Sequence, residues 1–208
     1  MFNDIWQIAT GIPLLLCSIV ALSLITERVI FLLRQKDLTQ DDYETTLKYI
    51  AATETDTAIN VLINAKPFYE QALALMEKEK ESPKALRDEQ VSTLMVMFNG
   101  RLRQRLNGLA TIASLAPMLG LLGTIIGLMR AFQKIGEHAG PVEPSLVANG
   151  LWQALSTTAA GIIIAAFCIL AHSIFSSKIK KMMTRSQFIL NRLSQLMQKQ
   201  NQHTDSKD

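Results

Sequence analysis

An all-α membrane protein is the fold class this 208-residue chain predicts, with three transmembrane helices, two of them long and extending into a cytoplasmic helical bundle. Three observations carry the prediction. Residues 5–26, the 24 residues between Arg105 and Arg130, and the 34 residues 144–177 are free of charge. A helix rises about 1.5 Å per residue, so roughly 20 apolar residues cross a bilayer core. Lys and Arg are segregated, with eleven from Arg34 to Arg105 and seven after Ser177. Residues 1–10 hold none, and residues 131–145 hold only Lys134. Finally, apolar residues keep helical spacing beyond the second and third uncharged stretches into charged sequence.

Taken in order, residues 1–36 form an N-terminal segment and the first span. Its apolar run continues past Glu27 and Arg28 to Leu33. A signal peptide wants a basic start and a small-residue cleavage site. Asp4 is the only charge near this N-terminus and no such site follows, so the segment is expected to be a retained helix. Glu27 beside Arg28 is expected as an interfacial ion pair or as snorkelling charges. Basic loops stay on the cytoplasmic side. The charge segregation therefore predicts a periplasmic N-terminus, a large inside loop, a short outside loop and a cytoplasmic C-terminus. The net charge of +3 is a topology signal on this view. No basic patch interleaved with aromatics points to nucleic acid.

Residues 37–105 are expected as a cytoplasmic helical region. Thr39 and Asp42 look like an N-cap pair ahead of a helix over 43–52. Pro67 opens a second helix over 68–80. Ser82-Pro83 is a strong start signal, with Ser as the cap and Pro at the first helical position. From there Val91, Leu94, Met95, Phe98, Leu102, Leu106 and Leu109 recur at helical spacing without a breaker. One helix is predicted from about Pro83 to about Ile135. It contains the second span, 106–132, and is followed by a short periplasmic loop, 133–145. The third span, 146–177, continues through Ile179, Met182, Met183, Ile189, Leu190, Leu193, Leu196 and Met197. Residues 178–208 are thus a cytoplasmic helix, ending in a disordered tail over 201–208.

Metal and enzyme chemistry find little support. Cys17 and Cys168 fall within spans, where they pack as small hydrophobes. His138, His172 and His203 lack metal-ligand spacing. No phosphate loop, nucleophile triad or positioned carboxylate pair is visible, so no cofactor is called for and the chain is not expected to be an enzyme. His172, near the inner end of the third span, is a packing residue or a proton relay.

The informative residues lie in the spans. Gly120, Thr124, Gly127 and Ala131 recur at spacings of four, three and four, and so share one face. Ala154, Thr158, Gly161 and Ala165 repeat that spacing in the third span. Small residues let helices approach closely, which makes Gly120, Gly123, Gly127, Ala154 and Gly161 the candidate packing positions. Asn149, Gln153, Ser156 and Thr157 form a neighbouring polar face and are candidates to line a pore or a path. Hydroxyls in membrane helices often bond their own backbone at i−4. Polar residues at membrane depth also face bundle interiors and aqueous paths. Neither span carries Asp or Glu, so a carboxylate for proton transfer would have to come from another chain.

These residues carry a resemblance. LAPMLGLLGTIIGLMRAF at 115–132 and VANGLWQALSTTAAGI at 147–162 resemble the signatures of the ExbB/TolQ proteins, distant relatives of MotA. ITERVIFLLRQ at 25–35 is similar to the end of the first ExbB helix. The resemblance implies a proton-driven motor in a bacterial inner membrane. A homopentamer would enclose the helices of two ExbD- or TolR-like subunits, whose membrane Asp carries the proton. Thr124 and Thr158 would face that Asp, and motion would pass to TonB or TolA and on to the outer membrane. The chain departs from the pattern at Gln153, where many members carry Glu, at Phe167 in a region where a Pro is common, and at Asn149, which replaces a frequent Pro. TTAAG and the short N-terminus lean toward ExbB over TolQ. MotA is disfavoured because it has four spans. The rival expectations are a TolQ-like subunit and a non-conducting homo-oligomeric scaffold.

Overall fold

Proline marks the start of three helices. Its fixed φ and missing N–H suit the first turn, where that N–H has no partner within the helix. The computed structural model describes residues 2–34, 40–52, 54–65, 67–79, 82–137 and 144–205. Among them lie α1 (Phe2–Arg34), α2 (Gln40–Ala51), α3 (Thr55–Ala65), α4 (Pro67–Lys78), α5 (Lys84–Gly136) and α6 (Pro144–Asp205). No strand occurs among the described residues. The all-α expectation holds. So does the expectation of three helices apolar and long enough to span a membrane, in α1, α5 and α6.

Local details refine the expected boundaries. The Pro83 carbonyl accepts the N–H of Leu86 at 3.0 Å and of Arg87 at 3.3 Å, so Pro83 fills the cap position expected for Ser82. The Ser82 hydroxyl turns back and donates to Glu79 Oε2 at 2.6 Å. That bond, helped by Gln90, holds the Glu79 carboxyl below its usual range. α3 was not anticipated. It buries Ala58 and Leu62, four residues apart, within a short and largely apolar stretch. α6 takes in residues 201–205, which were assigned to the tail, because no Gly or Pro interrupts the helix after Gly161. Thr39 and residues 138–143 of the short loop lie outside the described residues.

The chain divides into two compact units, residues 1–29 with 105–175 and residues 30–104 with 176–208. The first holds the spans. Its buried positions include small residues, Ala21, Ala116, Ala131, Ala154, Ala165 and Cys168, beside the larger Arg28, Leu106, Leu109, Ile112 and Phe175. Many of its other large side chains point outward, among them Leu15 and Leu22 on α1, Met118 and Met129 on α5, and Ile163 and Phe167 on α6. This arrangement suits lipid, where helices gain more from close backbone approach than from hiding leucines.

The second unit has a core of the kind found in water. Leu62, Tyr69, Met76, Ile189, Leu190 and Leu193 are each at most 2% exposed. Phe68 stacks on Phe98 with ring centroids 4.4 Å apart. Two polar features are built into this core. The Tyr69 hydroxyl and Ser186 Oγ are 2.7 Å apart. Arg87, 1% exposed, donates from Nε to Ser194 Oγ at 3.2 Å and from Nη2 to the Ser194 carbonyl at 2.9 Å. The Ser194 hydroxyl in turn donates to Asp88 Oδ1 at 2.5 Å, and Lys84 pairs with the other carboxylate oxygen. Burying a guanidinium costs far less once its donors are satisfied. The network ties the start of α5 to the late part of α6.

Candidate functional site

The site lies within the first unit, where α5 and α6 run antiparallel. Close approach is written into the glycines. A Cβ added at Gly127 would stand 2.7 Å from Ala154 Cβ, and one at Gly123 would stand 2.5 Å from Thr157 Oγ1. At Gly161 it would meet the Ala116 carbonyl oxygen at 2.5 Å, and at Gly120 it would meet Thr158 Cα and the Thr157 carbonyl oxygen at 3.0 Å each. Carbon atoms pack best at about 3.5–4.0 Å, so a side chain at any of these positions would push α5 and α6 or their side chains apart. Gly150 extends the seam, because a Cβ there would lie 2.8 Å from Ala131 Cβ. The order 116–161, 120–158, 127–154 and 131–150 is an antiparallel zipper. The partner of the small-residue stripe is therefore the matching stripe of the same chain.

Thr124 and Thr158 meet inside this seam, both half-buried. Their hydroxyls are hydrogen-bonded to each other. Thr158 Oγ1 also donates to the Gly120 carbonyl at 3.0 Å. Thr124 Oγ1 lies 3.3 Å from the carbonyls of Gly120 and Ala154. Each hydroxyl has one proton to give. With Thr158 donating to Gly120, the Thr124 proton goes to Thr158 or to a carbonyl, and lone pairs remain open on both oxygens. The expected i−4 bond of Thr124 is present, but only as one long contact among several. Most of the contacts in this cluster cross between helices.

The other candidates are not drawn into the cluster. Thr157 donates to Ala154 O at 2.7 Å and fills the space that Gly123 leaves. Ser156 donates to Gln153 O at 2.8 Å. Asn149, Gln153 and Ser156 are exposed. At about 100° per residue they sit roughly 140–180° round α6 from Thr158. They form a separate polar stripe on an apolar helix. Gln153 cannot act through the threonines in this arrangement.

Glu27, Arg28 and Arg105 gather at one end of the spans, and Arg130, Lys134 and Glu137 lie at the other end of α5. The Glu27 carboxylate pairs with Arg105 on α5, a cross-helix partner that chain neighbours alone did not reveal. Arg28 is 4% exposed. Gly108 faces Leu24 of α1, where a Cβ would lie 3.2 Å from Leu24 Cδ1. Two features escaped sequence reasoning, the pairing of Gly150 with Ala131 and the choice of Arg105 by Glu27. The first had a signal, since Gly150 precedes Ala154 by four residues on the same face. No group of three or more His, Cys, Asp or Glu that could hold a metal occurs among the described residues.

Three helices long and apolar enough to span a membrane, with a glycine-lined pair enclosing two bonded hydroxyls, define a multi-pass membrane protein. The profile of the MotA/TolQ/ExbB proton channel family matches residues 62–187. "Putative biopolymer transport protein ExbB-like 1" of Synechocystis sp. is 35% identical over 176 residues, 79% of this chain and 66% of its own length. "Putative biopolymer transport protein ExbB-like 3" of the same organism is 32% identical over 174 residues, 80% of each chain. "Biopolymer transport protein exbB1" of Vibrio cholerae is 23% identical over 197 residues, 93% of this chain and 86% of that one. The chain belongs to the MotA/TolQ/ExbB proton channel family and is ExbB-like.

Proposed function

We propose that this chain is a subunit of a proton-motive-force-driven motor in a bacterial inner membrane, with its N-terminus periplasmic and its C-terminus cytoplasmic. Copies assemble into a ring, a pentamer by resemblance. The ring encloses an ExbD- or TolR-like single-span partner that supplies a membrane Asp. Motion of the partner passes to a TonB- or TolA-like protein and energises the outer membrane. Thr124 and Thr158 are the groups of this chain that meet the partner's carboxyl.

One observation carries the proposal. Two hydroxyls and two backbone carbonyls converge at Thr124, Thr158, Gly120 and Ala154 inside the glycine- and alanine-lined seam between α5 and α6. Hydroxyls hydrogen-bond a carboxyl or order water, but they do not titrate near neutral pH. The Glu27 carboxylate of this chain is paired with Arg105, which stands about 28 Å along α5 from Thr124, so it does not serve the threonines. A titrating group at membrane depth is costly unless shielded, so it belongs on a helix that enters an assembled ring. Asn149, Gln153 and Ser156, exposed on α6, form a second polar surface on the side of that helix away from Thr158.

The direct hydrogen bond between the two threonines also favours a second reading, a passive scaffold in which the hydroxyls only lock α5 to α6. Reconstitution in liposomes under an imposed proton gradient separates the two. The motor requires proton flux with the partner and none from this chain alone. Flux from this chain alone, or none with an intact complex, would overturn the proposal.

A further inference from the structure

The second unit leaves two surfaces without a partner, and they complement each other. The first is a groove of about 500 Å³ between the end of α2 and the late part of α6. Its apolar wall is made by Leu47, Ile50, Leu196 and Phe188, the last 44% exposed. Its charges are Arg192 and Lys199, and among the described residues no acidic side chain lines it. Residues 144–204 contain no Asp or Glu at all, so α6 offers no neutralising charge of its own here. The Arg192 guanidinium carbon lies over the Phe188 ring, 5.5 Å from its centroid, inside the roughly 6 Å reach of a cation–π contact.

The second surface is the early part of α5. Leu86, Val96 and Met97 are 44%, 67% and 56% exposed in a unit whose other large apolar residues are mostly covered. Glu89 and Thr93 lie on the same face, because positions 86, 89, 93, 96 and 97 fall within about 100° of arc. Gly100 continues the face and has nothing within 4 Å of a Cβ placed there. This face is opposite the one that buries Arg87, Val91 and Met95. An apolar stripe in water with one acidic residue marks an interaction surface.

Depth matches as well. Glu89 lies 15 residues from Gln104, and Arg192 lies 16 residues from Ser176, which is about 22 and 24 Å of helix respectively. Both positions are too far along the polar segments for Arg192 to meet lipid headgroups. Copies held in one membrane share a depth and an orientation, so the two surfaces of adjacent copies stand at one level. A groove-to-groove contact would instead set Arg192 and Lys199 against their own images, and like charges directly opposed repel.

We infer that the α5 face of one copy, through Leu86, Glu89, Val96 and Met97, docks into the α2–α6 groove of the next copy, with Glu89 facing Arg192 and Lys199. Such a contact is heterologous and closes into a ring. The inference rests on the ring proposed above and names the surface that builds it.

Two differently tagged versions of the full chain test it in membranes, both lacking Cys17 and Cys168. One carries Glu89→Cys and the other Arg192→Cys. A short bifunctional thiol reagent should give a band containing both tags, which only an intermolecular link produces. Glu70→Cys in place of Glu89→Cys should not. Separately, Glu89→Arg should lose the oligomer on sizing in detergent, and adding Arg192→Glu with Lys199→Glu should restore it. An intact oligomer without the 89–192 band overturns the inference and leaves the motor proposal standing. So does a groove in which Arg192→Cys is shielded only when another protein is present. Absence of any oligomer overturns both.

Discussion

Gly161→Ala places one methyl group into the tightest point of the α5–α6 seam. The new Cβ would lie 2.5 Å from the Ala116 carbonyl oxygen, and 3.2 Å from both its carbon and Gly120 Cα. All three are backbone atoms, so no side chain can swing aside. Carbon–oxygen contacts of this kind normally settle at about 3.3–3.6 Å, which means the helices must part by about 1 Å. The 3.0 Å bond from Thr158 to Gly120 O would then open toward 4 Å and be lost. A gap of about 0.5–1 Å also forfeits a quarter to a half of the dispersion energy of the atoms along it. Overpacking of this sort costs about 1–3 kcal/mol. Gly100→Ala is the control, because nothing lies within 4 Å of its Cβ and alanine favours a helix interior by about 0.5–1 kcal/mol. Thermal unfolding followed by circular dichroism in detergent should rank Gly100→Ala at or above the parent and Gly161→Ala well below it. A Gly161→Ala protein that melts with the parent and retains its activity would show that the seam is not this tight.

Other outcomes follow from the same structure. Asp88 is pushed up by burial, but hydrogen bonds from Lys84 and Ser194 and the charges of Lys84 and Arg87 outweigh this and hold its carboxyl below the ordinary range. A depressed folded-state pKa stabilises the fold above the unfolded value near 3.9 and loses that effect as pH falls through the folded value. Asp88→Asn should therefore melt below the parent at pH 7, and the difference should shrink in melting curves below about pH 4. Tyr69→Phe leaves the buried Ser186 hydroxyl without its partner at 2.7 Å, and chemical denaturation should show a loss of about 1–3 kcal/mol. For topology, cysteines replacing Asn3 and Gly140 should react with an impermeant thiol reagent from outside intact spheroplasts. One replacing Gln202 should not, and labelling there would reverse the proposed orientation.

The spans, the long continuous α5 and the facing stripes were legible because each rests on a pattern local to one helix. Charge-free length identifies a span, and the four-three-four spacing of Gly120, Thr124, Gly127 and Ala131 identifies a face. What faces that stripe is a question about two helices, and spacing alone leaves a second copy and the same chain equally open. Gly127 against Ala154 answers it for α6 of the same chain. The meeting of Thr124 with Thr158 follows from that register. α3 was not seen because Ile59, Val61, Leu62 and Ile63 fall nearly together, and a short apolar run does not by itself distinguish a helix from a strand. The Arg87–Ser194–Asp88 network was not seen because Ser194 lies more than 100 residues from Arg87 and Asp88 in sequence. Ser82 was assigned as a cap from residue type alone. A serine hydroxyl takes whichever neighbour is better placed, and here that neighbour is the Glu79 carboxylate.

The threonine pair also sets a condition on any carboxyl that approaches it. An ionised carboxylate accepts hydrogen bonds and needs donors, whereas a neutral carboxylic acid brings a proton of its own. Within the chain, the Thr158 proton is directed to Gly120 O, and the Thr124 proton goes to Thr158 or to a carbonyl. A neutral acid can donate to an open hydroxyl lone pair and leave this arrangement intact. A carboxylate gains a donor only if a threonine gives up its inward bond. Removing the hydroxyls takes away the only donors that Thr124 and Thr158 can offer the ion, and so favours the neutral form of the partner's carboxyl. Thr158→Val, and more strongly Thr124→Val with Thr158→Val, should therefore move the pH profile of proton flux by the reconstituted complex to higher pH and lower its maximum. Thr158→Ser, which keeps the hydroxyl and loses only a methyl, should restore both. A purely structural role would lower stability without moving the profile. A double valine variant with an unshifted profile and full flux would return both hydroxyls to the packing of α5 on α6.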